Sequence, residues 1–343
     1  MDLREQNFGI EIEFTGISRR KAADIVAGYF HVSSHYAGRT YDAYEVRDEQ
    51  NRLWKLMSDS SIAAQRRISG SRQKISADST YRVEFVSPIC TYEDIPKIQQ
   101  IIRDLRSAGA FVNDSCGIHV HVDASNHDVR TLRNLVNIMA SKEDLFYKAL
   151  DIKCSRERYC RKVDTNFLEK LNRRRPHSRE QLSRLWYGDS SSHHGHYDRS
   201  RYHALNLHSV FHKGTVEFRM FNSTLHAGKI KTYIQFSLAI SAQAVNQRKA
   251  SALRTRSSNE KYTFRTWLLR LGMIGDEFRT ARKFLLENLE GGIAWKDPAQ
   301  AEAQKERLRA VRRAQDDETQ TSQTQECEGQ EGEEETSVMT MSM

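Results

Sequence analysis

Short segments in which apolar and polar residues alternate recur along the chain and predict β-strands. The clearest is Phe8–Thr15 (FGIEIEFT), in which apolar side chains alternate with Glu11 and Glu13. The same alternation predicts strands at Gly117–Asp123 (GIHVHVD) and Gly214–Phe221 (GTVEFRMF). Because successive side chains on a strand point to opposite faces, each of these strands is predicted to have one apolar face and one polar face.

Other segments predict a hairpin, a further strand and several helices. Tyr44–Arg47 and Leu53–Met57 are predicted to form a hairpin across a polar turn, and Arg82–Ser87 is a predicted strand that ends before Pro88. Apolar residues at helical spacing predict helices at Arg19–Phe30, Ile95–Ser107 and Val129–Leu150. Strands that alternate with helices but include a hairpin indicate an α+β or mixed α/β domain.

The polar faces of four predicted strands carry carboxylates, histidines and an arginine. These residues are Glu11, Glu13, Glu84, His119, His121, Asp123, Glu217 and Arg219. A sheet face of this kind is often solvated, but a solvated face usually mixes Lys, Thr, Ser and Gln. Carboxylates that cluster without cationic partners repel one another, and hard divalent ions such as Mg²⁺ prefer oxygen ligands. The pattern therefore favours Glu11 and Glu13 as metal ligands, whereas His119 and His121 fit a zinc site or an ordinary strand equally well.

Five motifs follow one another along the chain, and together they resemble the amidoligase family. They are FGIEIEF at 8–14, a Trp-x-x-x-x-Asp-x-Ser segment at Trp54–Ser61, VEFVSPI at 83–89, GIHVHVD at 117–123, and RYHALNL…GTVEFRMFNST across 201–224. The family is related to glutamine synthetase and to glutamate–cysteine ligase. The resemblance implies an α+β fold with a curved antiparallel sheet of the glutamine synthetase catalytic-domain type, covered by helices on one face. It also implies an ATP-dependent carboxylate–amine ligase that forms an amide bond through an acyl phosphate, with ATP and Mg²⁺ or Mn²⁺ as cofactors.

The resemblance also implies roles for individual residues of this sequence. The implied metal ligands are Glu11, Glu13, Glu84, His119 and Glu217. The implied nucleotide-binding residues are Arg201, Asn206 and His121. The implied catalytic residues are Arg219, Glu84 and Asp59, of which Arg219 would hold a substrate carboxylate or the transferring phosphoryl group. Ser60 stands where the family often has glycine, so the turn that follows Asp59 departs from the family pattern.

Composition and charge divide the chain into three parts. Residues 1–297 are predicted to form the catalytic domain, with insertions at 63–80 and 153–199. Residues 298–314 are predicted to form a basic helix, and residues 315–343 a disordered acidic tail rich in Gln and Glu. The net charge of the whole chain is +8, but nine acidic residues and no Lys or Arg lie from Asp316 onward, so the preceding part carries about +17.

The basic body of the chain suits anionic partners and leaves alternatives to a ligase open. Small-molecule or peptide carboxylates and amines are the expected substrates, and ATP phosphates fit the same charge. A non-catalytic nucleic-acid-binding module is a rival explanation of the charge, and a metal-dependent hydrolase that uses the His-x-His strand is a rival explanation of the metal pattern. The arginine-rich segment Lys153–Arg184 is either a solvated insertion or a surface that recognises an acidic substrate.

Other features limit where the protein acts and how it binds nucleotides. No run of about 18 apolar residues is present, so no membrane span is predicted. The N-terminal sequence lacks the order of a signal peptide, and the five cysteines are scattered, so a cytoplasmic location is expected. The nucleotide-binding patterns GxxxxGK[ST] and GxGxxG are absent, so ATP would have to bind on the polar sheet face with the help of metal ions.

Overall fold

The computed structural model of this protein describes residues 1–69, 71–188, 195, 197–297, 299–300 and 302–315. Most of residues 189–199, at the end of the predicted insertion 153–199, and nearly all of the predicted tail at 315–343 lie outside these residues. The chain divides into two compact units. The first consists of Met1–Arg256 and Phe264–Leu289, and the second consists of Ser257–Thr263 and Glu290–Met343. All of the predicted site residues belong to the first unit.

An eight-stranded antiparallel sheet forms the centre of the first unit. The strands among the described residues, including two that lie outside this sheet, are β1 (Phe8–Phe14), β2 (His35–Gly38), β3 (Ala43–Arg47), β4 (Leu53–Met57), β5 (Gln65–Arg67), β6 (Lys74–Ser76), β7 (Val83–Val86), β8 (Gly117–Asp123), β9 (Leu205–Asn206) and β10 (Thr215–Asn222). The order in the sheet is β2-β3-β4-β7-β1-β8-β10-β9, while β5 and β6 form a separate hairpin within the segment 63–80. The predicted α+β class with a large antiparallel sheet and the predicted β3–β4 hairpin are therefore confirmed.

The register of the central strands decides where the polar side chains lie. Strand β1 runs between β7 and β8, and β10 lies on the far side of β8. Three register pairs join these strands: Glu11 with His119, Glu13 with Glu84, and Glu217 with His121. Side chains that are opposite one another on antiparallel strands lie on the same face with their Cβ atoms about 5 Å apart. The polar residues of all four strands are therefore brought together on one face of the sheet.

Helices cover the apolar face of this sheet. The helices among the described residues include α1 (Arg19–Phe30), α2 (Ile95–Ser107), α3 (Val129–Ala149), α4 (Cys154–Glu157), α5 (Thr165–Arg174), α6 (Arg179–Tyr187), α7 (His208–His212), α8 (Ala227–Asn246), α9 (Glu260–Arg270) and α10 (Arg279–Leu286). Of these, α4 and α7 lie beside the polar face instead. Helices α1 and α8 contact the strands directly, and α2 and α3 pack against α8. Ile12, Phe85, Ile118 and Phe218 are fully buried in the resulting core.

The predicted helix boundaries agree closely with the structure. Helix α2 has the predicted bounds, and α3 ends one residue before the predicted Leu150. A capping box precedes α2, in which the Thr91 N–H donates a 3.0 Å hydrogen bond to Asp94 Oδ2. This cap satisfies a backbone donor that the helix itself cannot pair, which explains why the chain turns into a helix at this point.

The arginine-rich segment after α3 folds into the three short helices α4, α5 and α6. Phe167 and Leu171 of α5 are buried in the core, whereas Arg173 and Arg174 are exposed. Arg156 of α4 is also buried, with 4 % of its surface exposed. The interpretation of this segment as wholly solvated is therefore wrong, because part of it packs on the first unit and carries a buried arginine.

The second unit is described only in part. Within it, the Lys261 N–H donates to the Glu290 carbonyl at 3.0 Å, and Asn259 Nδ2 donates to the Trp295 carbonyl at 2.7 Å. Residues 302–315 are helical, and all of them are exposed. No helix among the described residues of either unit is long and apolar enough to cross a membrane.

Candidate active site

The polar face of the sheet is the floor of a cavity of about 620 Å³. Every residue that the sequence assigned to the site, except His121, lines this cavity. Strands β1, β7, β8 and β10 supply the floor, and the walls come from the turn after β4, from α4, from residues 197–202 and from α7. His121 lines an adjoining groove of about 310 Å³ instead. A cavity of this size is typical of sites that bind small molecules.

The first carboxylate–histidine cluster consists of Glu11, His119 and Glu217. The Nδ1 atom of His119 lies 3.0 Å from Glu11 Oε2 and 3.7 Å from Glu217 Oε1. The other Glu11 oxygen, Oε1, lies 3.2 Å from His121 Nε2 and 3.4 Å from Lys213 Nζ. One ligand atom from each residue of the cluster lies within 4.8 Å of the other two, so a single ion could contact all three side chains.

Neighbouring groups keep both carboxylates of the first cluster ionised. Burial raises the pKa of Glu11, but His121 and His119 outweigh burial and hold that pKa well below its usual value. Burial also raises the pKa of Glu217, but the Arg219 guanidinium and the two histidines lower it to about 2. Both carboxylates are therefore negatively charged at neutral pH.

The second cluster consists of Glu13, Glu84 and His119, and its two carboxyls repel each other. Glu13 and Glu84 are register partners on neighbouring strands, where like charges are destabilising. Burial and the nearby Asp59 raise the pKa of Glu13 to about 7, although Glu13 Oε2 accepts a 2.6 Å hydrogen bond from the Gly117 N–H. Burial and the neighbouring carboxylates raise the pKa of Glu84 well above its usual value. A cation between the two carboxyls would remove this repulsion.

The donor atoms of the two clusters fit a hard divalent cation. Burial and the nearby Arg219 lower the pKa of His119 to about 4, so its ring is neutral at physiological pH, which is the form that binds metals. Among the described residues, no Lys, Arg or His lies within ion-pair distance of Glu13 or Glu84, and the pKa values of both carboxyls stay raised although Arg156 and Arg219 act on Glu13 and Lys213 acts on Glu84. Buried carboxylates without a cation in direct contact, next to a neutral imidazole, are a ligand set that suits Mg²⁺ or Mn²⁺.

Arg219 and Asn206 fix the position of Glu217. Arg219 Nη1 forms an ion pair with Glu217 Oε1, and Asn206 Nδ2 donates a 2.6 Å hydrogen bond to Glu217 Oε2. A bulge in β10 between Phe218 and Phe221 interrupts the pairing with β8 at Arg219. Bulges of this kind redirect a side chain relative to the regular strand. Asn206, which the sequence assigned to nucleotide binding, thus also orients a candidate metal ligand.

Three arginines, Arg156, Arg201 and Arg219, line the same cavity. The guanidinium of Arg201 lies 5.2 Å from the ring centroids of both Tyr197 and Tyr202. The Nε atom of each arginine is buried and has no hydrogen-bond partner among the described residues. A buried donor without a partner is costly, and anionic oxygens are strong acceptors for guanidinium groups. The arginines are therefore suited to bind phosphate or carboxylate groups in the cavity.

Arg156 and Lys213 are basic residues of the cavity that were not identified from the sequence. Arg156 lies in the arginine-rich segment, where no pattern separates it from its exposed neighbours, and its Nη2 donates to the Arg219 carbonyl at 3.4 Å. The guanidinium fits because Gly117 has no side chain: a Cβ atom there would clash with it. Lys213 precedes β10 and pairs with Glu11. The one available signal was the glycine at the start of GIHVHVD, since a glycine in a strand often marks a close approach.

The Asp-x-Ser segment forms the turn after β4, with Asp59 at the rim of the cavity. Asp59 Oδ1 accepts a 2.6 Å hydrogen bond from the Ser61 N–H, and the Ile62 N–H donates to the Asp59 carbonyl at 3.3 Å. The turn therefore forms with Ser60 in place of the glycine that is frequent in the family. The Asp59 carboxylate contributes to the raised pKa of Glu13, so it acts on the second cluster.

A protein-family model described as "Putative amidoligase enzyme" matches residues 4–241 of this chain. The chain belongs to the amidoligase family. The matched residues include all five motifs, both carboxylate–histidine clusters and the three arginines of the cavity. The family resemblance of the motifs is thereby confirmed.

One solved structure with some similarity is described as "Crystal structure of a bifunctional glutathione synthetase from Pasteurella multocida". It shares 14% sequence identity with this amidoligase, with a TM-score of 0.36, and the match covers 91% of this chain and 50% of that chain. The amidoligase thus spans about half the length of that protein. A TM-score this low carries no argument about function. No curated protein matches the chain.

Proposed function

We propose that this amidoligase uses ATP and divalent cations to join a carboxylate to an amine. The observation that carries the proposal is a single cavity in which two carboxylate–histidine clusters adjoin three arginines with unpaired, buried Nε atoms. Phosphoryl transfer from ATP depends on positioning and on charge neutralisation more than on a nucleophilic side chain. Metal ligands and phosphate-binding cations in one cavity supply what that reaction needs.

The two clusters would hold the cations. One cation would be bound by Glu11, His119 and Glu217. A second would be bound by Glu13, Glu84 and the shared His119. Mg²⁺ or Mn²⁺ bound at these residues would neutralise the phosphate oxygens of ATP. A cation would lower the repulsion most at Glu13 and Glu84, because the cationic residues around them do not bring the pKa of either carboxyl down to its usual value.

The arginines would hold the anionic groups that react. Arg201 and Arg156 would donate hydrogen bonds to phosphate oxygens of ATP, since each has a buried Nε donor without a protein partner among the described residues. Arg219 would hold the substrate carboxylate or the transferring phosphoryl group. Its ion pair with Glu217 fixes its direction before the substrate binds, which is the preorganisation that electrostatic catalysis requires.

The reaction has two steps. An oxygen of the substrate carboxylate attacks the γ-phosphorus of ATP, the bond from that phosphorus to the β,γ-bridging oxygen breaks, and ADP and an acyl phosphate form. The amine nitrogen then attacks the acyl carbon, the carbon–oxygen bond to phosphate breaks, and inorganic phosphate leaves. The proton that the amine loses passes to a base, for which the carboxylate of Asp59 at the cavity rim is a candidate.

We extend the proposal to the type of sheet and to the substrates. The antiparallel sheet has helices on its apolar face and the candidate site on its polar face, as in the glutamine synthetase type of catalytic domain that the motifs imply. The cavity of about 620 Å³ is large enough for ATP with part of a second ligand, and its mixed charge suits small-molecule or peptide carboxylates.

Trapping with hydroxylamine tests the reaction without knowledge of the natural amine. Hydroxylamine is a small nucleophile that converts an acyl phosphate into a stable hydroxamate. The protein would be incubated with ATP, Mg²⁺, hydroxylamine and a pool of amino acids and short peptides, and the products would be measured by mass spectrometry. We expect hydroxamate and ADP in equal amounts from the wild type and neither from Glu217→Gln, which keeps the side-chain shape and removes the charge. Glu49→Gln, on the exposed turn between β3 and β4, is the matched control and should react like the wild type.

Two results would contradict the proposal in different ways. Formation of AMP and pyrophosphate in place of ADP would mean that the carboxylate is adenylated rather than phosphorylated. Amide hydrolysis without ATP, with a preference for Zn²⁺, would instead support a metal-dependent hydrolase that uses His119 and His121.

A further inference from the structure

A second depression adjoins the cavity on the polar face of the sheet. This groove has a volume of about 310 Å³ and lies between the start of β1, the segment after β7, and the facing ends of β8 and β10. Gly9, Pro88 and Ile89 supply apolar lining, and 75% of the Ile89 surface is exposed. Asp123 and Thr215 supply polar groups. The groove therefore has an apolar side and a polar side, and most of its lining residues are not lining residues of the cavity.

The groove and the cavity meet at the first metal cluster. Glu11 and Lys213 line both of them, and their ion pair, with 3.4 Å between Lys213 Nζ and Glu11 Oε1, stands at the boundary. His121 lines the groove, and its Nε2 lies 3.2 Å from the same Glu11 oxygen. A ligand in the groove would therefore end beside the residues that would hold a cation and the reacting phosphate.

The two depressions differ in the charge that they offer to a ligand. The cavity contains Arg156, Arg201 and Arg219, which suit anions. No arginine lines the groove, and its lysine, Lys213, is already paired with Glu11. The carboxylate of Asp123 accepts one hydrogen bond, of 2.8 Å, from the Ser125 N–H, and it forms no ion pair with any residue that the structure describes. The groove therefore suits a cationic group next to an apolar one.

We propose that the groove binds the amine substrate, in the form of a primary amine on a short apolar or uncharged chain. Asp123 attracts the ammonium group at the outer end of the groove, and the amine then moves toward the first cluster past Pro88 and Ile89, which contact its carbon chain. The assignment rests on the proposed ligase function, since it supplies the second substrate of that reaction. In this arrangement the substrates are separated by charge. ATP and the carboxylate enter the cavity with its arginines, and the amine reaches the first cluster from the groove.

Gly9 keeps the groove open. It is the register partner of His121, and a Cβ atom at this position would lie 3.8 Å from the Pro88 carbonyl oxygen, 3.9 Å from His121 Cβ and 3.9 Å from Ser87 Oγ. These are ordinary contact distances, so a side chain can be added without a clash at its first atom. A longer side chain at position 9 would fill the space that the amine needs. Gly9→Leu is therefore a direct way to block the groove while leaving both metal clusters intact.

Ligand-observed NMR with a matched pair of probes tests the assignment. Isoamylamine and isovalerate share the same branched carbon chain and differ in the sign of their charge. Saturation-transfer signals of both probes would be measured on the protein with Mg²⁺ and a non-hydrolysable ATP analogue, for the wild type, Gly9→Leu and Asp123→Asn. Gly28→Leu is the control, because Gly28 lies in α1 and a Cβ atom there has open space around it. Binding of the ATP analogue is measured on the same samples by calorimetry.

The proposal predicts that isoamylamine binds the wild type and Gly28→Leu. Its affinity should fall by about tenfold or more in Gly9→Leu and in Asp123→Asn, while the ATP analogue binds all four proteins equally. Any of three results would overturn the assignment. The first is that isoamylamine binds Gly9→Leu as well as it binds the wild type, the second is that it does not bind the wild type at all, and the third is that isovalerate binding is lost in Gly9→Leu. Failure of the ATP analogue to bind the wild type would instead count against the proposed ligase function, so the two failures are distinguishable.

Discussion

The carboxyl pair of the second cluster should lower the stability of the metal-free protein, and Glu13→Gln should restore it. Glu13 is 4% exposed and is the register partner of Glu84. Burial and the Asp59 carboxylate raise its pKa from 4.5 to about 7. A glutamine has nearly the same shape, carries no charge, and can still accept the hydrogen bond from the Gly117 N–H. The substitution therefore removes the charge with little other change.

The size and pH dependence of this effect follow from the shift in pKa. The folded protein holds the Glu13 proton up to a higher pH than the unfolded chain does, so ionisation above that range costs folding free energy. A carboxyl whose pKa rises from 4.5 to about 7 costs about 3 kcal/mol once it is ionised in both states. The cost is absent below pH 4.5, grows between pH 4.5 and about pH 7, and is complete above that range.

Urea denaturation in the presence of EDTA measures the effect. The difference in the free energy of unfolding between Glu13→Gln and the wild type should be small near about pH 5 and should approach about 3 kcal/mol in favour of the variant near about pH 8. Added Mn²⁺ should stabilise the wild type and have much less effect on the variant, because the cation then has one ligand fewer. Exposed Glu49→Gln serves as the control. A difference that does not change with pH, or a variant that is less stable at about pH 8, would refute the reasoning.

Three further predictions follow from the same structure. The apparent affinity for Mn²⁺, measured by calorimetry, should rise with pH through about 7, because protons compete with the cation for Glu13, and no such rise would contradict the pKa of Glu13. Gly117→Ala should displace the Arg156 guanidinium, lower the free energy of unfolding by about 1–3 kcal/mol and weaken ATP binding, whereas an unaffected ATP affinity would argue against a role for Arg156. Asp48→Asn should cost about 3 kcal/mol in urea denaturation, because the buried Asp48 accepts a 3.0 Å hydrogen bond from Trp54 Nε1 and pairs with an arginine, and it should leave Mn²⁺ and ATP affinity unchanged.

Much of the site could be predicted because the alternation of residues along a strand shows which side chains lie on the same face of the sheet. Alternation alone places Glu11 and Glu13 on the face opposite to Ile12, and the structure has them there. The same rule works for β8 and β10, whose apolar residues are buried in the core. The family motifs then identify which polar faces belong together. Without them, the sequence contains no information about register, and the pairing of Glu13 with Glu84 could not be derived from alternation.

The parts that the sequence did not predict depend on contacts between distant segments. Arg156 lies in the same arginine-rich segment as the exposed Arg173, and its position next to Gly117 makes it a cavity residue. Lys213 acts on the site through its pairing with Glu11, a contact across the sheet. The groove likewise exists because Gly9, the segment after β7 and Asp123 come together in the folded chain. Such relations arise from tertiary packing, which local pattern does not encode.

The most direct test of the central claim is isothermal titration calorimetry of ATP, with and without Mg²⁺ or Mn²⁺, on the wild type and on the double variant Glu11→Ala/Glu217→Ala. We expect the wild type to bind ATP when a divalent cation is present, and the double variant to lose this binding because the first cluster can no longer hold the cation. Absence of ATP binding under any of these conditions, or binding that survives unchanged in the double variant, would contradict the account. The basic surface would then have to be explained by another anionic partner, with nucleic acid the first to test.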